Sequence, residues 1–425
     1  MLSANQLFLL HTTGECSNEE ADSVLNTKVF DIAHSKMSHA FPDATIARLT
    51  HNNDDVAVSG FHIYSKGRLE AYVVFNTSTS IKPKSIFKGA LYSWLGDTAN
   101  RDSVKVYSLF VNNEYTTENA DIDFLKIEDI TVAVKANESN VQSSLSKVAS
   151  FYVGKVKKEQ PIDVLPKPFS KKLKNFLSVF PTCELAKVPE HLLNDMQSRV
   201  RSVHVSGESY IDLQGLKSDL IMACDLTKPI FILDFESTQF LLPEYENIKP
   251  HAQMVFQYSL HKYHQHTLTH NEFIELKNDP RLALAQQLIS DTEYEGVILA
   301  YNASFERRII EGLAKLFPQL ASQLLLIAER LYDLYPLFKA YFYHPSQKGK
   351  WSLKQVLPAV LGYDPYAELE GTNNGMEAAQ IYHKAREGIV TFEQAYKQLS
   401  IYCTLDTFAL YQLFIFVISD EKLVA

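Results

Sequence analysis

The chain reads as a multidomain protein of mixed α/β class, and three features of its 425 residues carry that reading. Short β-branched and aromatic runs, each closed by Gly, Asn or Asp, crowd the N-terminal part. A lysine-rich stretch with several prolines follows. Beyond it a continuously apolar strand, PIFILDFEST, opens an alternation of strands and helices. With 46% apolar and 21% charged residues the composition is globular, and the length favours more than one core.

Taken in order, MLSANQLFLLHTTGE has an apolar run with no basic region before it, so it is expected to belong to the fold and not to a secretory signal. Val56 to Tyr64, Leu69 to Asn76, Ser103 to Val111 and Ile130 to Val134 predict strands, and Lys88 to Leu95 and Asn140 to Phe151 predict helices. Lys155 to Lys174 holds seven lysines against Glu159 and Asp163, with Pro161, Pro166 and Pro168, and predicts a linker. Leu185 to Cys224 has helical character. The strand ending in Asp234 and Glu236 then begins a second domain. Met254 to His261 and Asn271 to Leu276 predict a hairpin with a His-rich tip, followed by a helix over Arg281 to Ser290. Gly296 to Ala300 predicts a buried strand, and Ser304 to Phe317 a helix with Ile309, Ile310 and Leu313 on one side. The expected division is 1–154, a basic and helical connector 155–228, and 229–425.

Several function classes recede on composition. Cys16, Cys183, Cys224 and Cys403 stand too far apart for zinc or iron-sulfur ligation, and a reducing, cytoplasmic setting is the default expectation. Apolar stretches such as Leu413 to Ile418 fall short of the ~20 residues that cross a bilayer, so no membrane span is expected. A net charge of −9 argues against a protein that coats nucleic acid indiscriminately.

Side-chain alternation sends Asp234 and Glu236 to the same face of their strand. Paired carboxylates repel unless a cation neutralises them, and hard oxygen ligands suit Mg²⁺ or Mn²⁺. A lone D-x-E can also end a strand in solvent, so the downstream pattern matters. Ala300-Tyr301-Asn302-Ala303-Ser304-Phe305-Glu306 runs from a buried strand into a helix and delivers Asn302 and Glu306 near the junction. Tyr402 and Asp406 sit one helical turn apart. The order is therefore D-x-E, N-x-x-x-E, Y-x-x-x-D. Arg307, Arg308, Lys350 and Lys354 are candidate phosphate contacts, and Tyr301 and Trp351 candidate base-stacking rings. Asp333, in a helical run expected over Arg330 to Phe338, and His344, at a turn before Pro345, are expected in structural roles. The histidines His261, His264, His266 and His270 lack metal spacing and predict a solvated turn.

In that order the three motifs resemble the DEDD, or DnaQ-like, exonucleases, and the Y-x-x-x-D ending is similar to their tyrosine subclass. The resemblance implies an RNase H-like sheet, a two-metal site on Asp234, Glu236, Glu306 and Asp406, and a Tyr402 that orients the attacking water. It also implies 3′-5′ exonuclease action at DNA or RNA strand ends. Two cations ~4 Å apart would stabilise the attacking and leaving oxygens. Glu306 stands where those exonucleases normally carry Asp.

LDFES, FQYSLH, AYNASFE, RLYDL, FYHP, SLKQVLP and YCTLDT further resemble a bacterial uncharacterised family that fuses a RecB-like PD-(D/E)XK module to such a domain. VVFNTSTSIK resembles that module's E-x-K strand, with Val74 and Asn76 at the catalytic positions, which implies an inactive first domain. The competing expectation is a catalytically impaired nucleic-acid-binding or scaffold protein.

Overall fold

A computed structural model describes residues 2–3, 27–53, 56–95, 103–119, 121–141, 143, 161–180, 183–367 and 375–419. Cys16, most of the expected helix 140–151 and the start of the lysine-rich segment lie outside the described residues. The architecture is α/β, with mixed sheets flanked by helices. The chain divides into two compact units, 1–157 with 240–252, and 158–239 with 253–425.

In the first unit the elements are β1 (Leu2–Ser3), α1 (Thr27–Ala40), β2 (Thr45–Asn53), β3 (Val56–Ser65) and β4 (Arg68–Asn76), then α2 (Pro83–Leu95), β5 (Lys105–Val111), β6 (Leu125–Asp129) and α3 (Thr131–Lys135). The sheet runs β1-β3-β4-β5-β6, with β2 also on β3 and only β1/β3 and β4/β5 parallel. Central β4 is covered on both faces: Tyr72 and Val74 pack with Phe87 and Leu91 of α2, and Ala71, Val73 and Phe75 with Val29, Ala33 and Met37 of α1. Ile130 to Val134 is not a strand. Asp129 accepts from Thr131 N at 2.9 Å just before α3, where Ile130 and Val134 turn inward while Val132 is 85% exposed. That is a helical period carried by β-branched residues.

The second unit contains α4 (Lys171–Val179), α5 (Asp195–Ser206), β7 (Tyr210–Ile211), α6 (Leu213–Ala223), β8 (Ile230–Gln239), β9 (Gln253–His264), β10 (Thr267–Ile274), α7 (Arg281–Thr292) and β11 (Val297–Ala300). It continues with α8 (Ser304–Leu316), α9 (Ala321–Glu329), β12 (Leu331–Asp333), α10 (Leu334–Tyr341), β13 (Phe342–Tyr343), α11 (Leu353–Leu361), α12 (Gly375–Arg386) and α13 (Phe392–Ile418). Its main sheet runs β10-β9-β8-β11-β12. β9 is antiparallel to both its neighbours, and β11 is parallel to both of its own. β8 is therefore central and buried on two faces, which explains its unbroken apolar run. Phe231, Leu233 and Phe235 face a core with α7, α8 and α9; Ile230 and Ile232 face another with α10, α11 and α13.

The described part of the lysine-rich segment is not a free linker. Leu165 and Leu173 join Val200, Leu216 and Leu220 in that second core, so the connector is built into the unit. Arg330 to Asp333 is not helical either: β12 pairs with β11, and α10 starts only where Asp333 caps it through Tyr335 N. The 27-residue α13 is long and apolar enough to span a bilayer by length and composition, unlike the shorter runs read from sequence. Half of its most apolar stretch is buried in this unit.

Candidate metal centre

Even-numbered residues of β8 point toward α13, so Asp234 and Glu236 continue the line of Ile230 and Ile232 onto that face. The register between β8 and β9 shifts after Glu236, a bulge that ends the regular pleat beside the carboxylates. Buried Gln257 of β9 fixes the facing helix, donating through Nε2 to Leu399 O at 2.9 Å. α13 then brings Tyr402, Cys403 and Asp406 against the strand, all three buried.

Ligand atoms of Asp234, Glu236 and Cys403 lie within 4.8 Å of one another. The Cys403 thiol lies 3.5 Å from Asp234 Oδ2, which it faces as a donor. Asp406 Oδ1 accepts from Tyr366 Oη at 2.6 Å, and the carboxylate also hydrogen-bonds Tyr402. Glu306, in the first turn of α8 where the helix dipole favours an anion, is 3% exposed, and its Oε2 has no hydrogen-bond partner. A cleft of about 680 Å³ opens on Asp234, Glu236, Phe305, His383, Tyr402 and Asp406. Gly375 begins α12 at its edge, where a Cβ would stand 3.3 Å from Glu236 Oε2.

Burial, then Asp406, Glu236 and Glu306, push Asp234 well above the usual carboxylate range. Burial and Asp406 raise Glu236 to about 8, and burial with Asp333 raises Glu306 to about 8. Burial also raises Asp406, against hydrogen bonds and Lys354 that lower it. The same burial and the surrounding carboxylates push up Tyr402, which stays a neutral phenol, and the Cys403 thiol. Gathered carboxyls of high proton affinity and an orphaned Glu306 oxygen fit a hard divalent cation, which would replace their protons.

Residues 231–352 match DUF2779, a domain of unknown function. The DUF2779 match begins on β8 and runs to the residue before α11, so it includes Asp234, Glu236 and Glu306 but stops short of Lys354, Tyr366, Tyr402 and Asp406. No curated protein and no solved structure matches the chain.

The remaining sequence candidates scatter. Asn302 holds a left-handed φ of 65°, which Asn tolerates, and its backbone N–H donates to Asp333 Oδ1 at 2.8 Å. Asp333 thereby ties the loop before α8 to the start of α10. Tyr301 Oη donates to Trp351 O, and the Trp351 indole, 3% exposed, donates to Phe342 O at 2.9 Å. These rings hold the core together instead of facing the cleft. Arg308 Nε bonds Ser304 O on its own helix, and Lys350 is exposed. Arg307 is half-buried and outside the residues that line the cleft. Lys354 does reach the centre, 3.3 Å from Tyr402 Oη. His344 caps the turn that follows it. The histidine hairpin turns through left-handed Gln265 and His266, as expected of a tip, although His261 is buried and bonds Thr407 of α13 at 2.9 Å.

Sequence reasoning missed Tyr366, Cys403, Phe305 and His383. Cys403 was visible in principle, since one helix face must carry Leu399, Cys403, Asp406 and Leu410 toward the sheet. Tyr366 follows Asp364-Pro365 in a turn, where no periodicity points anywhere.

Proposed function

We propose that the second unit is an RNase H-like, metal-dependent 3′-5′ exonuclease that hydrolyses DNA or RNA from strand ends. The observation that carries this reading is the meeting of Asp234 and Glu236, on the central strand of a mixed sheet, with Tyr402 and Asp406 from α13, in the order the D-x-E and Y-x-x-x-D motifs imply. Orphaned Glu306 beside them supports it as a further ligand or charge.

Asp234 and Glu236 would hold Mg²⁺ or Mn²⁺, with Glu306 and Asp406 adding negative charge around it. When bound, the ion supplies Lewis acidity and lowers the pKa of water. The chain's residues do the rest. Tyr402, kept neutral, orients the water through its hydroxyl. Water oxygen bonds phosphorus as the bond to the sugar O3′ breaks; one proton leaves the water and one ends on the sugar oxygen. Phe305 and His383 line the cleft where a terminal base would lie.

In the first unit, the positions that a PD-(D/E)XK site would use hold Val74, which is fully buried, and Asn76, whose amide donates to Ser108 Oγ at 3.2 Å. Neither can ligate metal and activate water, and we assign that unit to binding or packing. The test is degradation of end-labelled single-stranded DNA and RNA with Mg²⁺ or Mn²⁺, beside Asp234→Ala. Asp234-dependent degradation is expected. Its absence on both substrates would leave the chain a non-hydrolytic binding protein.

A further inference from the structure

Lys354, in the first turn of α11, stands between two tyrosines of the centre. Its Nζ is 4.7 Å from the centroid of the Tyr402 ring and 4.9 Å from that of Tyr366, and it donates to Tyr402 Oη at 3.3 Å. Two ring faces hold an ammonium by their quadrupoles and fix a side chain that is otherwise long and mobile. Its charge bears on Glu236 and Asp406 and draws both carboxyls down.

The carboxylates around it are unequally placed for metal. Asp234 and Glu236 already approach as a pair. Asp406 is engaged by Tyr366 at 2.6 Å and by Tyr402. A dication on Asp234 and Glu236 finds its ligands facing one another. A second, on Asp406, would have to displace a short charge-assisted hydrogen bond and stand beside a fixed ammonium, against like-charge repulsion.

We infer that Lys354, clamped between Tyr366 and Tyr402, is the resident second cation of this centre, so that the protein takes one divalent ion, on Asp234 and Glu236. The resemblance of the motifs alone implies two. The inference rests on the metal-binding half of the proposed function and is independent of turnover. Lys354 is in this view a positioning residue, its ammonium held by the two rings against Glu236 and Asp406.

The test is Mn²⁺ titration of the full chain, with free ion counted by electron paramagnetic resonance. One ion per chain is expected, lost in Asp234→Asn. Lys354→Met is expected to admit a second ion or to tighten Mn²⁺ at least tenfold, whereas Lys354→Arg, which keeps the charge, holds the count at one. Should Lys354→Met fail to melt cooperatively, Lys354→Gln, which likewise removes the charge, is read in its place with the same expectation. Two Asp234-dependent ions in the unmodified protein, of affinities within tenfold of each other, overturn the inference. So does an unchanged count and affinity in a folded Lys354→Met. A count of one without nuclease activity sinks the hydrolase reading and leaves the inference standing; activity with two ions does the reverse.

Discussion

Asp234 is the side chain on which the proposed chemistry turns, and its surroundings make its charge costly without metal. Burial and three neighbouring carboxyls raise its pKa, so its ionised form is disfavoured in the fold. Asp234→Asn should therefore stabilise the metal-free protein at pH 8, each ~1 kcal/mol raising Tm by ~2–4 °C in a unit of this size. It should also abolish the Tm rise expected of the unmodified protein with Mg²⁺. Calorimetry checks both, and a lower Tm with the Mg²⁺ response intact would count against the assignment. Glu236 and Glu306 fix the pH dependence. Their folded values of about 8 lie above the ordinary 4.5, so the folded state binds the extra protons. The stability they contribute is complete below about 4.5 and is lost as pH rises through about 8. Metal needs the deprotonated forms, so the Mg²⁺-induced Tm rise should be larger at pH 8 than at pH 6. Asp234 and Glu236 were legible because strand alternation is strict. Tyr366 was not, because its link to Asp406 spans 40 residues and starts from a turn.

The elements that aim these groups have their own requirements. Gly296 has a φ of 91°, and a Cβ there would lie 2.0 Å from Pro229 O, so only glycine lets β11 close on β8. Gly296→Ala should cost at least about 2 kcal/mol in denaturant unfolding. The start of α13 is closed by a capping box, with Thr391 Oγ1 accepting from Gln394 N at 3.1 Å. Thr391→Ala should cost about 1 kcal/mol, measured the same way, with the centre about three helical turns away undisturbed. Strand β8 was readable from its continuous apolar run and helix α8 from its period. The two misread stretches failed for different reasons: Ile130 to Val134 is β-branched yet turns as a helix, and Leu331 to Asp333 pairs with β11 before Asp333 caps α10 through Tyr335 N.

The division of the chain was only half visible. Charge and proline marked a break near residue 155, but the residues after it bury Leu165 and Leu173 in the second unit. Nothing in the sequence shows that the segment joining β8 to β9, residues 240–252, belongs with the first unit, where Leu241 and Leu242 pack near Phe124 and Leu125. That pairing is set by contacts distant in sequence. A fragment 158–425 carries those leucines without their partners and should self-associate in gel filtration, whereas the same fragment with 240–252 replaced by a tight turn should run as a monomer. An unmodified fragment that is monomeric would contradict this. A 5′-labelled single strand with Mg²⁺ is expected to give a ladder that shortens nucleotide by nucleotide from the 3′ end and vanishes in Asp234→Ala. An intact strand, or an equal ladder from the Asp234→Ala protein, would contradict it.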